Sequence, residues 1–110
     1  MTDVVAKTIQ NARSLLSRWS TGSASIATFS ANHWRLTLRI TRPDRSGCLE
    51  LQFGDTQWFC GPLHWNGCAI EVAHRNLVHS DESGFIASDV NAGVVIESVV
   101  LEVKEFDQLA

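Results

Sequence analysis

One change of rhythm at residue 24 constrains this chain more than any other feature. Upstream, apolar residues stand at Val5, Ile9, Ala12, Leu16 and Trp19. That spacing returns each side chain to one stripe of an α-helix, so the pattern predicts an amphipathic helix over Thr2–Trp19. Thr2 or Asp3 can cap its start by accepting a backbone N–H bond, and Arg18 suits the negative pole at its end. Ser20-Thr21-Gly22-Ser23 stops it, with Gly22 free to take a left-handed turn.

Downstream the period becomes two. Ser25–Ser30 reads as a first strand. Trp34, Leu36, Leu38 and Ile40 then alternate with Arg35, Thr37 and Arg39, the clearest strand in the chain. Pro43-Asp44-Arg45-Ser46-Gly47 has turn chemistry, and Leu49, Leu51 and Phe53 alternate beyond it. Facing Ile40 with Leu49, Leu38 with Leu51 and Leu36 with Phe53 puts Arg39 opposite Glu50. Apolar then meets apolar and charge meets opposite charge, which fixes a hairpin register, with Thr41 facing Cys48 at its end.

Gly54-Asp55 reads as the next turn. Gln57–Trp65 is strand-like but broken at Gly61-Pro62, since proline cannot donate to a ladder. Asn66-Gly67 suits a two-residue hairpin turn that would set Trp65 opposite Cys68 and Leu63 opposite Ile70. Short extended pieces follow at Leu77–His79 and Phe85–Ser88. Val94–Phe106 closes the chain as a strand with Val95, Val99, Leu101 and Val103 on one face and Val94, Ile96 and Val100 on the other. The expectation is a single α+β domain over 1–110. An N-terminal helix packs on a curved antiparallel sheet of about six strands, as a roll or partly open barrel.

Composition narrows the function classes. The formal net charge of −3 over 110 residues is the wrong sign for a nucleic-acid binder. Arg35, Arg39, Arg42 and Arg45 form a local basic face, and nucleic-acid binding there is the weakest alternative. No stretch reaches the roughly 18–20 apolar residues that a bilayer span needs, and the first twenty residues lack the order of a secretory signal. Three cysteines, an odd number, argue for reduced thiols and a cytoplasmic setting.

The densest cluster of reactive side chains runs from Trp58 to Cys68. Cys60, His64 and Cys68 have a C-x3-H-x3-C spacing, which brings ligands together on a helix, whereas Pro62 and Asn66-Gly67 argue for turns here. The expectation is therefore unpaired thiols, no metal and no cofactor. Trp58 and Trp65 flank the Gly61-Pro62 break and are candidates to line an interface or pocket, together with Cys60 and His64. Val100 joins them because one helix cannot cover both apolar faces of the last strand. The reading that follows is a non-catalytic interaction module that self-associates as a two-fold dimer or docks on a protein partner. A small-molecule binder or enzyme with a pocket near Trp58–Cys68 is the alternative.

Overall fold

The computed structural model describes residues 2–107. Helix α1 (Asp3–Arg18) is followed by seven strands: β1 (Ser23–Ser30), β2 (Arg35–Arg42), β3 (Arg45–Cys60), β4 (His64–Trp65), β5 (Glu71–Asn76), β6 (Ser83–Asp89) and β7 (Val94–Phe106). They form one antiparallel sheet in the order β4-β1-β2-β3-β7-β6-β5, curled into a half-barrel against which α1 packs. The α+β class and the curled sheet match the sequence reading.

The helix begins where its cap dictates. Thr2 Oγ1 accepts the Val5 N–H at 3.2 Å, and Trp19 closes the last turn. Ile9, Ala12, Leu16 and Trp19 are buried in the concave side of the sheet against Leu36, Leu38, Ile40, Leu49, Leu51 and Phe53, while Val5 is partly buried at the rim. The Arg18 carbonyl, at the negative end of the helix, accepts from both Arg42 (3.2 Å) and Arg45 (3.0 Å). Thr21, not Gly22, takes the left-handed turn, with φ of 67°. Gly22 serves another need: a Cβ there would meet the Thr41 carbonyl oxygen at 2.5 Å, so only glycine lets the strand approach.

The first hairpin has the expected register over Leu36–Ile40 and Leu49–Phe53, including Arg39 opposite Glu50. It departs at the tip. A bulge between Ile40 and Arg42 sets Arg42 opposite Arg45, so the turn is tighter than a Pro43–Gly47 loop and Thr41 does not pair with Cys48.

Four sequence expectations fail beyond it, the simplest being the extended piece at Leu77–His79, which lies in the loop between β5 and β6. Gly54-Asp55 is not a turn: β3 continues through it as one bent strand of 16 residues, with Asp55 at φ of 50° and a bulge between Thr56 and Trp58. The two faces of β7 are not as alternation alone implies. Val94 and Ile96 are core residues, and so are Leu101 and partly buried Val103, so the inward phase switches between Ile96 and Leu101. That switch lies opposite the Asp55–Trp58 irregularity, where a bulge adds twist and bends both strands together. Finally, Asn66-Gly67 makes no Trp65–Cys68 hairpin. Trp65 pairs with Ala24 of β1, and Cys68 exchanges backbone bonds with Gly22 (3.0 Å) and Thr21 (2.8 Å).

The Gly61-Pro62 break therefore marks where the chain leaves the centre of the sheet. It travels to one edge as β4, then to the opposite edge as β5. Trp65 anchors this crossing. Its indole N–H donates at 2.8 Å to Oδ2 of Asp89, a buried carboxylate that also accepts the Ala69 N–H at 2.8 Å. Replacing Trp65 with Phe removes one donor from a buried acceptor. The expected loss is about 1–3 kcal/mol, read from urea unfolding. An unchanged midpoint would show that the crossing does not depend on this bond.

Candidate functional site

The outward face of the bend carries the most organised polar group in the molecule. Trp58 on β3 pairs with Glu97 on β7. The loop between β5 and β6 folds back over this point and closes on itself through a 2.9 Å bond from the Leu77 N–H to the Glu82 carbonyl. His79 in that loop lies flat on Trp58, with ring centroids 3.8 Å apart and planes 4° from parallel. Its Nδ1 is 2.8 Å from Glu97 Oε2, and its backbone N–H donates to Oε1 at 3.1 Å.

Glu97 is almost completely buried, with 1% of its surface accessible. Burial by itself would raise its carboxyl pKa. Donation from the His79 backbone and ring and from the Val78 backbone outweighs that and holds it below the usual carboxylate range. An ionised carboxylate can only accept, so Nδ1 carries a proton and donates it to Glu97, which fixes the orientation of the ring. Such a carboxylate–imidazole pair can orient a general base. Yet among the described residues no hydroxyl or thiol is hydrogen-bonded to Nε2, so the geometry shown is that of a pin holding the loop on the sheet.

Of the sequence candidates, Trp58 takes part in this group and stays 42% exposed. Cys60, two residues on, is also exposed, its Sγ 3.9 Å from the Gly93 carbonyl. His64 is exposed at the far edge on β4, while Trp65 is buried on Asp89. Cys60, His64 and Cys68 do not converge, and among the described residues no cluster of three His, Cys, Asp or Glu side chains could hold a metal ion. Cys48 and Cys68 are buried, and burial pushes both thiols above their ordinary range, which makes them poor nucleophiles at neutral pH.

Val100 lies elsewhere on the outer face. It is half-exposed over Gly54, in an open groove of about 1010 Å³ whose walls include His33, Trp34, Arg35, Gln52 and Glu102. Trp34, expected to alternate with Arg35 as part of the strand, is instead exposed beside Phe29, and it and His33 both have positive φ, 48° and 59°. The arginine face is mostly paired. Arg39 bonds Glu50 at 2.8 Å and Arg42 bonds Asp44 at 3.0 Å. Arg45 lies 4.3 Å from the Trp19 ring. Arg35 alone of the four has no ion-pair partner among the described residues.

The His79–Glu97 contact joins residues eighteen apart across two strands and a loop. Nothing in local spacing announces it. The one available signal was a carboxylate inside the apolar run Val94–Leu101, which had to be buried or covered. Comparison with protein-family models, with curated proteins and with solved structures finds no match to this chain.

A carboxyl held below its unfolded-state value stabilises the fold when ionised. That contribution is complete above about pH 4.3, the unfolded value, and disappears as the pH falls through the folded value. Glu97→Gln removes it. Urea unfolding from about pH 7 down to about pH 3 is expected to show a flatter stability profile for Glu97→Gln than for the unaltered chain below the unfolded value. Parallel profiles would contradict the pin.

Proposed function

We propose that this protein works by self-association, as a non-catalytic interaction module acting as a two-fold dimer in a reducing, cytoplasmic compartment. The observation that carries this reading is the open sheet. A half-barrel leaves two edges, and β5 presents six residues of strand at one of them. Free edges of this kind are templates for pairing with another chain. The outer face adds exposed apolar surface at Val100, Trp34 and Trp58. The buried carboxylates Asp89 and Glu97 both hold backbone segments in place, which is a structural use of groups an enzyme would direct at a substrate. Three free thiols, two of them buried, fit a compartment that keeps cysteine reduced.

Small-molecule binding is favoured by one observation of its own. Two consecutive left-handed residues, His33 and Trp34, hold an exposed indole beside the Val100 groove, and strain of this kind gathers at ligand clamps. Native mass spectrometry reads both outcomes at once, since a retained small ligand adds mass to the single chain.

Sedimentation velocity across micromolar concentrations tests self-association. The expected result is a two-chain species that grows with concentration, and a single-chain species throughout would overturn the proposal. Val100→Asp is expected to remain folded, because that side chain is 52% exposed. Loss of the cooperative thermal transition in this variant would show instead that Val100 supports the core.

A further inference from the structure

We infer that the dimer forms by antiparallel pairing of β5 with β5 of a second copy, in the register that sets Glu71 opposite Arg75. This rests on the self-association reading above and names its surface.

The alternation of hydrogen bonds along the β5–β6 hairpin shows which backbone groups are free. Leu77 donates to the Glu82 carbonyl, so that facing pair is hydrogen-bonded. Pairs alternate in an antiparallel ladder. Ala73 facing Ile86 and Arg75 facing Gly84 therefore bond across to β6, in the same register. Val72, His74 and Asn76 then direct their N–H and C=O groups away from β6, toward the free edge. An independent contact agrees: the outward Val72 carbonyl accepts from the Arg13 guanidinium at 3.3 Å. On either side of Arg13, open grooves of about 560 and 450 Å³ separate α1 from β5.

Two-fold pairing must match outward groups with outward groups, which restricts the axis to a few positions. Centred on Ala73, it pairs Val72 with His74 of the second copy through their free N–H and C=O groups. The same register places Glu71 opposite Arg75, twice. These are non-hydrogen-bonded positions, where facing Cα atoms come within about 4.5 Å and side chains meet most closely. Centred on Glu71 or on Arg75, the axis would set like charges against each other. Neither Glu71 nor Arg75 has an ion-pair partner in its own chain among the described residues, and both are exposed. Arg13 must leave the Val72 carbonyl for the second strand to take its place. It therefore acts as a guard on the edge.

The test uses charge reversal read by sedimentation equilibrium. Glu71→Arg and Arg75→Glu each create two like-charged pairs across the axis, and each alone is expected to weaken association about tenfold or more. Mixing the two variants restores opposite charges at every position, so the mixture is expected to form a heterodimer with the affinity of the unaltered chain. His74→Pro removes an N–H that β6 does not use. Folding is expected to survive by circular dichroism while the dimer is lost. A dimer unaffected by all three changes would overturn the β5 interface and leave self-association through another face. A monomeric unaltered chain would overturn both.

Discussion

Strand β3 is too long for the molecule that contains it. Sixteen residues in a straight strand would reach about 50 Å, whereas the longest dimension of the fold is 40 Å. The strand must therefore coil, and it does so where Asp55 turns left-handed and Thr56–Trp58 bulges. Its partner β7 changes inward phase opposite this point. Everything else depends on that bend. It curls the sheet far enough for one helix to fill the concave side. It also turns Trp58 and Glu97 outward together, where the β5–β6 loop closes over them.

Placing a carboxylate beside the bend requires compensation. Glu97 is buried by the loop that it holds, and its donors come from that same loop, Val78 and His79. Asp89 does the equivalent work at the mouth of the half-barrel, joining the Trp65 indole to the Ala69 backbone. In both places a buried acidic side chain accepts from backbone N–H groups that irregular chain leaves without a ladder partner. The two segments fastened in this way, 61–70 and 77–82, lie on either side of β5 in sequence. The edge is thus presented on a firm hairpin and not on a loose flap.

Much of the framework was legible in the sequence because it is local. The helix stripe Ile9–Ala12–Leu16–Trp19 and the pairing of Leu36, Leu38 and Ile40 with Phe53, Leu51 and Leu49 follow from periodicity and one cross-strand charge pair. What alternation misses is a change of phase inside a strand. Gly54-Asp55 has the composition of a turn, yet the ladder to β7, with Gly54 opposite Val100 and Thr56 opposite Ser98, carries the chain through it, and tertiary pairing overrides local preference. Asn66-Gly67 misleads for the opposite reason: its flanks pair with β1 and the segment after α1 and not with each other. Trp58, Cys60, His64 and Trp65 are near one another in sequence and Val100 is apolar as the two tryptophans are, yet the fold distributes them over separate places. The complementarity of Glu71 and Arg75 has no signature in local spacing, because it arises only from the place of β5 at the sheet edge.

Hydrogen exchange of the β5 amides, followed as a function of protein concentration, reads the pairing of this edge residue by residue. The amides of Ala73 and Arg75 face β6 and serve as an internal reference, protected at every concentration. The amides of Val72 and His74 are expected to exchange freely in dilute solution and to become protected as the dimer fills. Free exchange at Val72 and His74 at all concentrations, with Ala73 and Arg75 protected throughout, would contradict the pairing.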